Sequence, residues 1–186
     1  MAPLYQDRSD AGKALAKKLL HHANDPSLLV LALPRGGVPV AFQVALELNA
    51  PLDVFVVRKL GVPGYEELAM GAIASGGVRV LNEELIQRLN IPKNAIEAVT
   101  REEEQQLERC EKAFRGSREP ARVERRTIVL VDDGLATGAS MKAAVRALRQ
   151  KHPAYICVAV PIGSRDTCDY FRSEVDELIC GDTPEP

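Results

Sequence analysis

The sequence has 186 residues, about the size of one domain, and its 46% hydrophobic and 27% charged residues exclude the disordered and fibrous classes. Lys and Arg total 24 against 26 Asp and Glu, and only 4% of residues are aromatic, with no Trp. No overall field would therefore attract nucleic acid or an anionic membrane, and stacked-base recognition is disfavoured. We therefore expect neither a nucleic acid nor a membrane as a partner. Any anion that binds must be held by groups arranged around one site.

The four cysteines, at positions 110, 157, 168 and 180, include no C-x-x-C pair, and only three histidines could join them in a metal site. We predict free thiols. The first twenty residues lack the apolar segment of a signal peptide, and no later run approaches the roughly 18 apolar residues of a membrane span. We therefore expect a soluble cytoplasmic protein.

The first third of the chain predicts a strand, helix, strand unit after an N-terminal helix. Residues 10–23 show helical spacing of apolar residues. The continuous apolar run Leu28–Leu33 predicts a strand buried on both faces, and Val38–Leu48 is helical by pattern. The run Leu52–Val57 predicts a second strand, followed by a short loop before Arg58. This unit implies a parallel sheet.

The middle of the chain is less regular. Ala69–Ala74 and Val78–Leu81 are candidate strands joined by a turn at Gly76–Gly77, and Asn82 is a candidate helix cap. From Pro92 to Phe114 the chain is heavily charged, yet apolar residues recur at helical spacing and predict one long helix that stops near Gly116. Its charges are interpreted as a solvated face, with a subunit contact as the alternative.

The last third of the chain predicts a strand at Thr127–Val131, a loop at Asp132–Ser140, a helix at Met141–Gln150 and a strand at Tyr155–Pro161. Strands that alternate with helices predict an α/β fold with an open, doubly wound, mostly parallel sheet and helices on both faces. Ligands of such sheets bind beyond the carboxyl ends of the strands.

The loop after Val131 joins two adjacent acids to a turn of small residues that leads into a helix. Small residues let backbone N–H groups converge on one point, Thr137 and Ser140 add hydroxyl groups, and the helix directs its positive end there, which suits a phosphate monoester. Asp132 and Asp133 match the vicinal hydroxyls of a ribose. The segment therefore predicts binding of a pentose 5-phosphate. Its candidate ligands are Asp132, Asp133, Gly134, Leu135, Ala136, Thr137, Gly138, Ala139 and Ser140.

Taken separately, D-D-G is a common turn and T-G-A-S could be a capped start of an ordinary helix. Joined, the thirteen residues Ile128–Ser140 resemble the phosphoribosyl pyrophosphate motif of the type I phosphoribosyltransferases. One departure is Gly134, where that motif usually has a branched apolar residue. The glycine could loosen the loop or admit a different ligand pose.

A second loop, Leu33–Gly37, follows the first predicted strand and is similar to the pyrophosphate loop of the same class. Gly36 and Gly37 allow close backbone approach to an anion, and Arg35 supplies a planar charged fork. In the family this loop can carry a cis peptide before a non-proline residue. A surface turn explains P-R-G-G alone equally well.

A third segment, Val57–Gly61, places Arg58 and Lys59 side by side, as would suit a diphosphate, although a solvated basic pair is the alternative. In the family, cations in this region contact the pyrophosphate. The stretch through Met70 and Gly71 resembles the mobile loop that closes over the site and excludes water.

Four segments of the chain resemble, in sequence and order, those of a group of uncharacterised bacterial phosphoribosyltransferases. They are A-L-P-R-G-G-V-P-V-A, V-V-R-K-L-G, E-L-A-M-G-A-I and V-D-D-G-x-A-T-G-A-S. The resemblance spans nearly the whole chain. It implies a single domain over residues 1–186, with a small hood or flap and the long helix inserted at about residues 60–120. A homodimer is also implied, because type I relatives usually associate.

The same resemblance implies transfer of ribose 5-phosphate from phosphoribosyl pyrophosphate to a nitrogen acceptor, such as a nucleobase, with release of diphosphate. Mg²⁺ would be held mainly by the substrate and water. The catalytic residues that the resemblance implies are Arg35, Lys59, Asp132 and Asp133. Arg58 is implied as a further diphosphate ligand. The alternatives are a non-catalytic binding module that regulates another process and a nucleoside hydrolase or phosphorylase. The acceptor stays open.

Overall fold

The computed structural model describes residues 4–184, which form two compact units. Within these residues, the first unit comprises the chain up to Phe55, Ala121–Gly138 and Lys151 onward, and the second comprises Val56–Pro120 and Ala139–Gln150. Residues 1–3, part of the N-terminal stretch in which no signal peptide is expected, and residues 185–186 lie outside the description. That the units form one domain stays a prediction.

The helices and strands alternate along the chain. Their order is α1 (Arg8–Lys18), a short 3₁₀ helix (Leu20–His22), β1 (Leu28–Ala32), α2 (Gly37–Leu48), β2 (Leu52–Val54), β3 (Val57–Val62), β4 (Tyr65–Ala74), β5 (Val78–Leu81), α3 (Glu83–Arg88), α4 (Lys93–Arg115), β6 (Thr127–Val131), α5 (Ala139–Arg149), β7 (Tyr155–Ile162), α6 (Arg165–Glu174) and β8 (Glu177–Asp182).

The first unit is built on a five-stranded sheet with the order β2-β1-β6-β7-β8, in which every neighbouring pair is parallel. β1 and β6 lie side by side in a register that pairs Leu28 with Thr127 and Ala32 with Val131. All five residues of β1 are buried, so both faces of this strand are covered. The carboxyl ends of the two strands therefore lie at the same level on the same edge.

α1 and α2 pack together on one face of this sheet. Leu15 of α1 and Val40 and Val44 of α2 belong to one buried cluster with Val30 and Val129 of the strands. α1 begins at Asp7, whose side chain accepts a hydrogen bond from the backbone N–H of Asp10. The parallel α/β architecture predicted from the sequence is confirmed. The structure also contains a small antiparallel sheet, which belongs to the second unit.

The second unit contains the antiparallel sheet β3-β4-β5 with α3, α4 and α5. β4 and β5 turn at Gly76 and Gly77, whose φ angles of 81° and 75° suit glycine. α4 runs for 23 residues and ends at Gly116, as the sequence predicts. Ile96 and Leu107 of its apolar stripe are buried, and α4 packs on β3 of the same unit, so this stripe gives no independent support to the predicted homodimer.

Several boundaries differ from the sequence predictions; β4, for example, begins at Tyr65 and not at Ala69. The prediction of one continuous strand at residues 52–57 is wrong. β2 ends at Val54, and a new strand begins at Val57, which pairs with Ala74 of β4. Arg58 and Lys59 consequently lie within an antiparallel strand and not in a loop after a parallel one. The helix predicted at residues 10–23 ends at Lys18 and is followed by the 3₁₀ helix, with Leu19 fully buried between them.

All four cysteines are free, as predicted. Within residues 4–184, no helix combines the length and the apolar character needed to cross a membrane.

Candidate active site

The loops that follow β1 and β6 meet at the carboxyl edge of the parallel sheet. The backbone N–H of Leu33 donates to the carbonyl of Val131 at 2.9 Å, which continues the pairing of the two strands by one residue. The chain then turns sharply, and the N–H of Gly37, the first residue of α2, donates to the carbonyl of Leu33 at 3.0 Å. Both loops thus begin from fixed, adjacent positions.

Glycine allows these loops to touch. A Cβ atom on Gly37 would lie 2.7 Å from the carbonyl oxygen of Val131 and 3.0 Å from the Cα of Asp132, and a Cβ on Gly36 would overlap the carboxylate of Asp133. The peptide bond between Pro34 and Arg35 is cis, as the family resemblance suggests. The side chain of Arg35 is exposed. The proposed pyrophosphate loop therefore lies directly against the acidic pair.

Asp133 is held by a residue that the sequence analysis missed. Nε and Nη2 of Arg8, in the first turn of α1, donate to Oδ2 of Asp133 at 2.8 and 2.7 Å. The two residues are 125 positions apart, and no local pattern around Arg8 indicates the contact.

Asp132 lies deeper at the same edge. Its Oδ1 accepts a hydrogen bond from the backbone N–H of Asp133 at 2.8 Å. Burial raises the pKa of the Asp132 carboxyl to about 6, and the negative charge of Asp133 acts in the same direction, whereas the hydrogen bond from the Asp133 N–H opposes the rise. The site therefore contains a carboxyl that changes charge close to neutral pH.

The small-residue turn after the acids is shaped by hydrogen bonds to its carbonyl groups. The carbonyl of Ala136 accepts from the hydroxyls of Ser164 and Thr167 at 3.0 and 2.6 Å. In the described part of the chain, the N–H groups of residues 136–138 donate to no protein acceptor. Thr137 is exposed. The carbonyl side of the turn therefore faces α6, and its N–H groups are not used by the fold of the described residues.

Gly138 is required at the end of this turn for two reasons. Its φ angle is +72°, and a Cβ atom there would lie 2.8 Å from Cγ2 of Thr167 and 2.9 Å from Cε2 of Phe171. The next two residues of the predicted phosphate loop, Ala139 and Ser140, are exposed and begin α5 in the second unit.

Gly134, which departs from the family motif, is under no such constraint. A Cβ atom at this position would meet only Ile162, at 3.5 Å from its Cγ2 and 3.7 Å from its carbonyl oxygen, and the φ angle is not positive. These are ordinary van der Waals contacts. The loop accordingly has room for a Cβ atom at this position.

In the second unit, the two predicted diphosphate cations have acidic neighbours. Nε of Arg58 donates to Oε2 of Glu103 in α4 at 2.7 Å, and Nζ of Lys59 lies 3.8 Å from Oε2 of Glu67. The stretch through Met70 that resembles a mobile loop runs into β4, which pairs with β3 on one side and, from Gly71 onward, with β5 on the other. Arg58 and Lys59 are therefore carried by a β-hairpin.

Comparison with known proteins places this geometry in a family. The family model described as a phosphoribosyl transferase domain matches residues 63–179. The chain belongs to the phosphoribosyltransferase family. Two phosphoribosyltransferase relatives from Mycobacterium tuberculosis strains, one of them named "Putative phosphoribosyl transferase Rv0571c", are each 46% identical over 181 residues, which are 97% of this chain and 41% of theirs. The chain thus spans about two fifths of the length of these curated relatives.

Solved structures have a similar fold. The protein TT1426 from Thermus thermophilus is 36% identical, with a TM-score of 0.84 over 97% of this chain and 85% of that one. A purine phosphoribosyltransferase from Pyrococcus horikoshii is 19% identical, with a TM-score of 0.52 over 97% of this chain and 87% of that one. The second likeness supports the shared phosphoribosyltransferase fold alone.

The contacts of the glycines lead to a first prediction. Gly37→Ala should destabilise the protein by about 1–3 kcal/mol, because the added methyl group meets the backbone of β6. Gly134→Ala is the matched control, and it should be neutral or stabilising by up to about 1 kcal/mol, because it restricts the unfolded chain without a clash. Urea denaturation of both variants measures the difference. Equal stability of the two variants would show that the loops do not approach as described.

The buried carboxyl leads to a second prediction. The folded-state pKa of Asp132 lies above its unfolded value, so its contribution to stability is complete below about pH 3.8 and is lost as the pH rises through about 6. Asp132→Asn should therefore stabilise the protein by about 1–2 kcal/mol at pH 8, after allowance for solvent screening, and hardly at all at pH 4. Denaturation curves across this range measure the gain, with the exposed Asp166→Asn as control. A gain that does not depend on pH would contradict the assigned burial.

Proposed function

We propose that this protein transfers ribose 5-phosphate from phosphoribosyl pyrophosphate to a nitrogen acceptor, such as a nucleobase or a related heterocycle, and releases diphosphate. The observation that carries the proposal is the contact between the P-R-G-G loop after β1 and the acidic loop after β6. Groups suited to the diphosphate and to the ribose thereby lie side by side at the edge where parallel sheets bind ligands. Membership of the phosphoribosyltransferase family supports the same reaction class.

In this proposal the second loop holds the ribose 5-phosphate. The carboxylates of Asp132 and Asp133 accept hydrogen bonds from the 2- and 3-hydroxyls, and Asp133 does so beside its pairing with Arg8. The backbone N–H groups and hydroxyls from Gly134 to Ser140 bind the 5-phosphate. One of the two carboxylates also stabilises positive charge on the ring as the bond to diphosphate breaks.

The leaving group is assigned to the first loop and to the two hairpin cations. Arg35, Gly36 and Gly37 bind the diphosphate from the carboxyl edge of β1, and Arg58 and Lys59 supply further positive charge. Displacement at the anomeric carbon builds negative charge on the diphosphate and oxocarbenium character on the sugar. The catalytic work of these groups is positioning and electrostatic stabilisation.

Magnesium fits this set of residues. The carboxylates of Asp132 and Asp133 offer the hard oxygen atoms that Mg²⁺ prefers, and the ion would otherwise be held by the substrate oxygens and by water. When bound, it neutralises charge on the diphosphate.

The acidic pair leads to a third prediction. The double variant Asp132→Asn, Asp133→Asn should bind phosphoribosyl pyrophosphate on the order of 10²- to 10⁴-fold more weakly, because each carboxylate accepts a charge-assisted hydrogen bond worth about 1.5–3 kcal/mol. Titration calorimetry in the presence of Mg²⁺ measures the affinity, and circular dichroism checks the fold. Asp166→Asn, at an exposed position in α6, is the control. Unchanged affinity in the double variant would remove the acids from the site.

The assignment of Arg35 leads to a fourth prediction. Arg35→Ala should slow diphosphate release on the order of 10²- to 10³-fold, as loss of a donor to a developing anion typically does, and should leave ribose 5-phosphate affinity unchanged. Arg109→Ala, on the exposed surface of α4, is the control and should alter neither quantity. Equal release rates, or a parallel loss of ribose 5-phosphate binding, would show that Arg35 does not serve the leaving group.

A further inference from the structure

A cluster of two histidines and a glutamate lies in the first unit, away from the candidate site residues of that unit. His21 and His22 end the 3₁₀ helix after α1, and Glu177 is the first residue of the edge strand β8. Nε2 of His21 lies 2.7 Å from Oε1 of Glu177, and Nε2 of His22 lies 2.6 Å from Oε2. Since β8 is parallel to its neighbour and Glu177 begins it, the cluster lies at the amino edge of the sheet, opposite the candidate active site.

The three side chains offer metal ligands at suitable separations. One ligand atom from each residue lies within 4.8 Å of the others. Zinc bonds nitrogen and carboxylate oxygen at about 2.0–2.2 Å, so tetrahedral ligands lie about 3.3 Å apart. The present separations of 2.6 and 2.7 Å are hydrogen-bond distances, and rotation of the side chains supplies the small widening that an ion requires.

The burial of the cluster favours a defined site over a chance surface contact. The side chains of His22 and Glu177 are 12% and 20% exposed, whereas His21 is 52% exposed and leaves a path from solvent. The hydroxyl of Tyr155 donates to Oε2 of Glu177 at 3.5 Å, and its ring centroid lies 6.0 Å from that of His22. Such outer contacts orient ligands in metal sites.

We propose that His21, His22 and Glu177 bind one zinc ion, with its fourth position occupied by water. Two imidazoles and one carboxylate are a zinc-ligand set that leaves one position open. Imidazole nitrogen suits first-row transition ions, whereas magnesium and calcium prefer sets made of oxygen alone. The ion joins segments 156 residues apart and ties the chain after α1 to the edge of the sheet.

Metal binding by untagged protein, stripped with a chelator and kept free of phosphoribosyl pyrophosphate, tests the proposal. Zinc is titrated in competition with a chromophoric chelator, and the expected stoichiometry is one ion per chain. His21→Ala and Glu177→Gln should each weaken binding by more than about 100-fold, beyond the roughly 10- to 100-fold loss typical of outer partners. The third histidine, His152, supplies the control. Its φ angle is 52°, a conformation that asparagine also tolerates, so His152→Asn should fold normally and bind zinc like the wild type.

Cobalt substitution identifies the ligand atoms. Cobalt in the proposed site should show visible ligand-field bands without thiolate charge-transfer absorption. Failure of the folded wild type to bind micromolar zinc would overturn the proposal and leave the cluster as a hydrogen-bonded clamp. Undiminished affinity in His21→Ala and Glu177→Gln, or thiolate charge-transfer absorption in the cobalt form, would overturn it as well. His21 is exposed, so His21→Ala should fold, and circular dichroism confirms this. Because no phosphoribosyl substrate is present, failure here is distinct from failure of the proposed transfer reaction.

Discussion

The close approach of two loops at the carboxyl ends of β1 and β6 is the constraint on which the proposed site depends. The parallel pairing of the strands brings both loops to one edge, and the missing side chains of Gly36 and Gly37 let the first loop reach the backbone and carboxylate of the second. Without this contact, Arg35 and Asp133 would be two unrelated surface residues. The geometry of the site is thus set by backbone packing as well as by the charged groups that carry the chemistry.

Burial of the ionised Asp132 carboxylate lowers the stability of the folded protein. A carboxyl at this depth loses hydration, and the adjacent charge of Asp133 adds repulsion. The fold offsets part of this cost with the hydrogen bond from the Asp133 backbone and with the pairing of Asp133 to Arg8. A pair of acids held at some cost to the fold is expected where a ligand rather than the fold requires them.

Local patterns predicted the parts of the structure that local chemistry determines. The strand at Thr127–Val131 and the end of the long helix at Gly116 were predicted correctly. Burial of a strand on both faces and termination of a helix can each be recognised from the types of a few neighbouring residues. The placement of Arg58 failed, because residues 57–62 pair with β4 and a strand's choice of partner is not local. Arg8 was missed for the same reason, and α6 and β8 had no prediction because their apolar residues are few.

Product analysis decides whether this protein transfers a phosphoribosyl group. The protein is incubated with labelled phosphoribosyl pyrophosphate, Mg²⁺ and a panel of purines, pyrimidines and other nitrogen acceptors. We expect that one acceptor becomes phosphoribosylated while an equal amount of diphosphate is released. Binding of the donor without any product would instead indicate a regulatory module. Ribose 5-phosphate and diphosphate formed at the same rate with every acceptor would indicate hydrolysis, and either result would rule out phosphoribosyl transfer.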